Sequence, residues 1–430
     1  MRLARTALLT AACLGASSGF GFGVAPFPGR LVCAPLLRTQ VAGAQSHSVL
    51  RLSGGVGALS MSSTVESRDG VRARTEEMKA AAVNQVPFNE AELDDAVTSL
   101  RMLAGDDAAI DWAALRTLIS KVGHVSHKDW AKTEEAAEEL LRIIKGPDDE
   151  QFQRIMSRVL VDGNWPAAAA AAAARPETAK PWVVLVTGLN GIRKTSSVYQ
   201  KWFKEVLHQA LGQTYSGPVE ELPDGSNSFF RQLDYMMATL ANTEFARLYR
   251  VEDMGDYAAL KDGIFQRYRK LAESLGVLMV KEAMKKQLNV MVETSGRDVA
   301  MFKYVDQFFP DDKYNKLVVH FTINELAFAE SSVDRRMAKE MADGRAAEKT
   351  GDAMAMIRAN AGGPYGSAVL KGVQADSDKV WESVSSGSAG VGKSWYKARI
   401  NIHAAHDEWT ASASNAPAGA SAYTFGPPPR

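Results

Sequence analysis

The stretch Pro181-Trp182-Val183-Val184-Leu185-Val186-Thr187-Gly188-Leu189-Asn190-Gly191-Ile192-Arg193-Lys194-Thr195-Ser196 limits what this chain can fold into more than any other. Five apolar residues in succession, Trp182 to Val186, without polar alternation, suit a strand buried on both faces of a parallel sheet. Two glycines then bend the chain. From Thr195 to about Ala210 the residues Val198, Trp202, Val206 and Ala210 recur on one helical face. Strand, tight loop and helix in that order make a phosphate-binding loop. Backbone N–H groups from Gly188 to Ile192, with Asn190 and Gly191 between them, would close on phosphate oxygens. Lys194 would reach the β- and γ-phosphates, Thr195 would offer its hydroxyl to magnesium, and Ser196 completes the candidate nucleotide site. One residue departs from the pattern. Glycine usually precedes the lysine, and Arg193 stands there, either loosening the wrap around the β-phosphate or touching the nucleotide itself. The plain alternative is an ordinary strand-to-helix turn with a surface lysine.

A second stretch, Gly387-Ser388-Ala389-Gly390-Val391-Gly392-Lys393-Ser394, satisfies the phosphate-loop pattern at every position, yet its surroundings are reversed. The residues before it are polar and serine-rich, and Arg399 to His403 after it alternate like a strand. Only 36 residues follow Ser394, too few for a parallel sheet, so Lys393 is not expected to hold a nucleotide.

Residues 1–65 hold five arginines, no lysine and no acid. Arg2 and Arg5 precede an apolar run, Ala7 to Leu14, and then small residues, the layout of a signal peptide too short to span a bilayer. The acid-free continuation after Phe20 resembles the second half of a bipartite presequence of complex-plastid algae, in which phenylalanine follows signal cleavage. Delivery to the plastid through the secretory pathway is the expectation, with a plain secreted protein or a mitochondrial presequence as the alternatives. Cys13 and Cys33 both lie in this segment, so a mature chain from about Met61 would have neither disulfide nor thiol chemistry. It would carry 45 basic against 50 acidic residues, which argues against nucleic acid as a partner. No later run reaches the roughly 18 apolar residues of a membrane helix, so the mature form is expected to be soluble.

Residues 74–163 read as four helices forming a small module. Asn89 caps one that ends at Gly105, Asp111 caps Trp112 to Val122, and two more run from about Lys128 to Ile144 and from about Asp148 to Val161. Their chemistry is silent, which leaves the module free to dock a protein partner. His124 and His127 flank a loop without a nearby third ligand, so no metal is expected there. Residues 164–180, with eight consecutive alanines from Ala167, read as a linker because eight residues are too few for an isolated helix.

Further strands are expected at Ser228 to Leu233, Asn289 to Val292 and Lys316 to Thr322, separated by helices at Asp256 to Ser274 and Lys281 to Lys286. This alternation predicts a doubly wound parallel α/β sheet over 181–403, followed by a flexible tail at 404–430. Ligands of such sheets sit beyond the carboxyl ends of the strands. There Asp234, Glu293, Ser295 and Arg297 would share an edge with Lys194 and Thr195. Phosphoryl transfer needs a lysine and a metal ligand, a carboxylate for the acceptor's proton, and cations for the developing charge. Ser331 or Ser332 can cap a helix bearing Arg335, Arg336 and Glu340 before Gly344. The structural alternatives are a helix cap for Asp234, an ion pair for Glu293 with Arg297, and an i,i+4 pair for Arg336 with Glu340.

Taken together, the Gly188–Thr195 loop, the acid after the second strand, Val292-Glu293-Thr294-Ser295-Gly296-Arg297 and the Arg335-Arg336 helix resemble a zeta-toxin-type P-loop kinase domain over roughly 176–403. That family transfers phosphate from ATP to a hydroxyl of a small molecule, and its bacterial members act on a UDP-activated amino sugar. The resemblance implies Lys194 and Thr195 for ATP and Mg2+, Asp234 as base, Glu293 and Ser295 near acceptor or metal, and Arg335 or Arg336 at the γ-phosphate. The competing expectation is a nucleotide-binding regulatory or scaffold protein whose altered loop no longer catalyses.

Overall fold

The computed structural model describes residues 66–105, 109–144, 150–151, 154–156, 163–406, 408–417, 419–420 and 422–426. The expected targeting segment and most of the helix expected at 148–161 lie outside the described residues. Seven strands among them, β1 (Trp182–Thr187), β2 (Ser228–Arg231), β3 (Asn289–Glu293), β4 (Asn315–Ile323), β5 (Tyr396–Ala405), β6 (Glu408–Ala413) and β7 (Tyr423–Thr424), form one sheet in the order β2-β3-β1-β4-β5-β6-β7. The first five run parallel, with Val183 beside Val290 of β3 and Val184 beside Leu317 of β4. β6 and β7 turn back antiparallel.

The helices are α1 (Arg68–Val83), α2 (Glu90–Ala104), α3 (Trp112–Val122), α4 (Trp130–Ile144), α5 (Trp165–Ala173), α6 (Lys194–Val198), α7 (Phe203–Leu211), α8 (Leu233–Leu240), α9 (Asn242–Leu248), α10 (Met254–Lys285), α11 (Ala300–Phe308), α12 (Leu326–Thr350), α13 (Ala353–Ala359) and α14 (Leu370–Ser385). They cover both faces of the sheet, which is why β1 does not alternate. Val183 and Leu185 enter one core with α1 to α4 and α10, while Trp182, Val184 and Val186 enter the other with α7 and the start of α12. No helix among the described residues is long and apolar enough to cross a membrane.

The N-terminal helices start where their caps predict. Asn89 and Glu92 form a reciprocal capping box, and the Asp111 carboxylate accepts from Ala114 N. Glu92 also accepts from Arg267 of α10 at 2.8 and 2.7 Å, and that guanidinium lies 4.3 Å over Phe88. The same carboxylate therefore caps α2 and fastens it to α10. Helix α1, which the sequence pattern did not single out, runs beside α10, with Arg68 and Arg72 on Asp256.

Several expectations change in the structure. Residues 165–173 of the supposed linker are helical, because Trp165 packs edge-on against Phe229 and the Asn164 amide donates to three carbonyls near β2. The helix expected from Thr195 to Ala210 breaks after Val198, whose carbonyl accepts from Gly225 N rather than from the next helical turn. The two helices expected between 256 and 286 are one. Helix α12 begins before Ser331 and continues through Gly344, where any Cβ would stand 2.1 Å from the Tyr249 ring. Residues expected to trail as a tail form β6 and β7.

Candidate functional site

The loop after β1 is shaped by what it passes. Gly188 takes φ +127°, and a Cβ there would meet the Phe321 carbonyl oxygen at 2.4 Å. At Gly191, φ is +84° and the Ala329 carbonyl would be 2.5 Å away, so neither position accepts a side chain. Ile192 is buried in the adjoining core. Arg193 takes φ +60°, the backbone conformation a glycine would adopt, and starts α6. The arginine thus preserves the turn of the loop while its side chain leaves it, lying 4.6 Å over the Trp409 ring.

Lys194, only 3% exposed, donates to the Leu189 carbonyl at 2.6 Å and lies 3.4 Å from Glu293 Oε1. The Thr195 hydroxyl donates to Glu293 Oε2 at 2.7 Å. Adjacent parallel strands make this junction, since β1 carries the loop and Glu293 pairs with Val186 at the end of β3. Burial pushes the Lys194 ammonium below its ordinary value, and Glu293 pulls the other way. Ser196 is exposed on α6.

A cavity of about 800 Å³ opens beyond the ends of β2 and β3. Of the residues expected there, Asn190, Thr195, Asp234, Glu293, Ser295, Arg297 and Arg336 line it. Asp234 does not end a strand. β2 stops at Arg231, and Asp234 sits in the first turn of α8, half-buried over the cavity. Burial pushes its carboxyl above the ordinary range, opposed chiefly by Lys261 and Arg336. The two arginines of α12 part company. Arg336 lines the cavity, whereas Arg335 is exposed and, among the described residues, donates only to its own helix, at Ser331 O.

The expected structural pairings of these residues do not form. Arg297 stacks 4.8 Å over Tyr365 rather than meeting Glu293. Glu340 turns from Arg336 into the interior, accepting on Oε1 from Lys261 Nζ and the Tyr257 hydroxyl, both at 2.6 Å, and on Oε2 from Ala361 N at 2.9 Å. That last bond anchors the chain just before Gly362, Gly363 and Tyr365, which form one wall of the cavity.

The remaining walls come mostly from residues away from the strand ends. The α3–α4 loop brings His127 and Lys128, α10 brings Arg269 and Lys270, and β2 ends in Arg231. Lys128 meets Asp298 at 3.1 Å, and Lys270 donates to the Thr133 hydroxyl at 2.7 Å, with burial pushing its ammonium down to about 8. His127 is held neutral, its imidazole pushed down to about 4 by burial and by Arg269. Arg231 and Glu273 form a buried pair at 2.6 Å, joined by Arg269 at 2.8 Å. Burial works against the charge on Glu273, but the two arginines prevail and hold its carboxyl near 2. The signal available in the sequence is the loop itself, whose two histidines lie three positions apart.

The second glycine-rich stretch lies between α14 and β5, with the helix before and the strand after. Lys393 is exposed and outside the cavity. No protein-family model matches the chain, and no curated protein matches it in sequence.

Proposed function

We propose that this chain binds ATP on the Gly188–Thr195 loop and transfers its γ-phosphate to a hydroxyl of a small molecule held in the cavity. The observation that carries the reading is that Glu293 meets both Lys194, at 3.4 Å, and Thr195, at 2.7 Å, while Thr195 and Glu293 line one cavity with Asp234 and Arg336. A hydroxyl beside a carboxylate oxygen at the end of the loop suits Mg2+, which takes oxygen ligands and keeps several waters. Thr195 and Glu293 would hold it, and it would supply charge neutralisation between the β- and γ-phosphates. Lys194, released from Leu189 and Glu293, would bind the phosphate oxygens. Asp234 would take the acceptor's proton as its oxygen bonds to phosphorus and the β–γ bridge breaks, leaving ADP. Its raised basicity suits that work. Arg336 would meet the charge on the transferred group. Resemblance to zeta-toxin-type kinases supports this assignment of roles.

A second reading, nucleotide binding without transfer, draws on Arg193 and on the closed contact of Lys194 with Glu293. Magnesium-dependent release of ADP from ATP by the purified chain, with and without a metabolite extract, tests both. Transfer to a component of the extract, detected as the mass of one added phosphate, supports the kinase. Tight ATP binding without turnover supports the regulator, and absence of binding removes both. Lys194→Ala is expected to weaken ATP binding about tenfold to a hundredfold, since a hydrogen bond to a charged group contributes about 1.5 to 3 kcal/mol.

A further inference from the structure

Arg193 is the least explained residue of the site. A non-glycine residue in the left-handed region costs roughly 1 to 2 kcal/mol, and a glycine would serve the turn at no such cost. Its guanidinium has neither a hydrogen bond nor a carboxylate partner among the described residues, and it is exposed. What it does have is an aromatic bed. It lies 4.6 Å over Trp409 of β6 and 5.7 Å from Phe425, just past β7. Trp409 is 5% exposed, and Phe328 packs edge-on against it at 6.4 Å. Phe425 is fixed by its backbone N–H to Trp409 O at 3.0 Å, while Trp202 packs edge-on against its ring at 5.2 Å and donates to Thr424 O.

The sheet order sets where this bed lies. Asp234 and Glu293, with the cavity they line, belong to the β2–β3 side of β1, whereas Trp409 and Phe425 belong to the β6–β7 side. Arg193, Trp409, Phe425 and Arg335 line no part of the cavity. A triphosphate threaded over the loop with its γ-phosphate toward Asp234 and Arg336 must therefore carry its nucleoside toward the opposite edge.

We propose that this edge is the nucleoside site, with the base stacked on the outer face of the Arg193 guanidinium above Trp409. The inference rests on the nucleotide reading given above. A planar guanidinium backed by an indole is a ready platform for a base. Stacking reads the flat face that all bases share, so ATP and GTP should bind within a few-fold of each other.

The test is calorimetric titration of the full chain with ATP, GTP and inorganic tripolyphosphate, which lacks base and sugar. Arg193→Gly supplies the residue that the backbone conformation favours, so folding is not at risk. It is expected to weaken ATP by roughly tenfold to a hundredfold while tripolyphosphate changes by less than about threefold. Phe425→Ala, at a half-buried position, should lower ATP affinity in the same selective way. Equal losses for ATP and tripolyphosphate in Arg193→Gly would make Arg193 a phosphate ligand and overturn the proposal, as would no loss of either. Wild-type protein that binds neither probe would overturn the nucleotide reading itself, an outcome distinct from intact ATP binding insensitive to both substitutions.

Discussion

Replacing Glu340 by glutamine tests whether the buried Lys261–Glu340 pair fixes the frame of the cavity. The carboxylate has a donor at each oxygen, Lys261 and Tyr257 on one and Ala361 N on the other, and both charged side chains are 2% exposed or less. An amide offers one acceptor and one donor, so whichever way it turns, its NH2 faces an N–H or an ammonium. Lys261 is left as a buried cation without the carboxylate it is bonded to, and breaking a buried pair in this way costs about 3 to 5 kcal/mol. That is a large share of a stability of about 5 to 15 kcal/mol. Urea unfolding followed by tryptophan fluorescence should show the midpoint falling with the slope unchanged. Lys261→Met in the Glu340→Gln background removes the stranded charge. The double variant should accordingly recover about 2 kcal/mol relative to the sum of the single changes. A cost below about 1 kcal/mol for Glu340→Gln, or strict additivity of the two changes, would refute the reasoning. Because Glu340 follows Arg336 by one helical turn and anchors Ala361, the same variant should lose turnover even at temperatures where it remains folded.

Asp234→Asn should slow transfer by about 10² to 10⁴ while ATP affinity moves less than about threefold; unchanged transfer would remove Asp234 from the mechanism. Lys393→Ala should leave ATP binding as it was, and a loss there comparable to that of Lys194→Ala would relocate the nucleotide. Glu273 is carried near 2 in the fold against an ordinary 4.5, so its contribution is complete above pH 4.5 and lost as pH falls from 4.5 toward 2. A separation of that size is worth about 3 kcal/mol, and Glu273→Gln should flatten the pH dependence of stability across that window. Gly191→Ala, which sets a methyl 2.5 Å from the Ala329 carbonyl, should abolish ATP binding or destabilise the fold by about 1 to 3 kcal/mol, read by calorimetry and urea unfolding.

What could be read from the sequence was local. The run Trp182 to Val186 announces a doubly covered strand because every residue is apolar, and Asn89 and Asp111 announce helix starts because their side chains need only the next turn. What could not be read depends on partners far along the chain. Eight alanines are too few to hold a helix alone, and nothing in their neighbourhood tells that Phe229 will pack against Trp165. Gly344 has the look of a helix end, yet it lies mid-helix because Tyr249, almost a hundred positions earlier, occupies the space a methyl would need. Adjacent Arg335 and Arg336 cannot be told apart until the rotation of α12 is known. Glu293 was findable because it ends a strand, and Asp234 because it lies three positions past one; Arg269, Lys128 and Tyr365 were not, because they converge from three separate segments.

The packing of α1 along α10 has a consequence for how the chain is made. Arg68 meets Asp256 across 188 positions, and Lys281 of α10 reaches back to Glu134 and Glu138 of α4. At a synthesis rate of about 5 to 20 residues per second, α1 leaves the ribosome roughly 10 to 40 seconds before the helix it rests on. During that interval Val71, Met78 and the apolar faces of α2 to α4 have only one another. Slower translation through 150–280 should lengthen the exposure of those faces, making the nascent amino-terminal third the part of the protein with the greatest claim on chaperones.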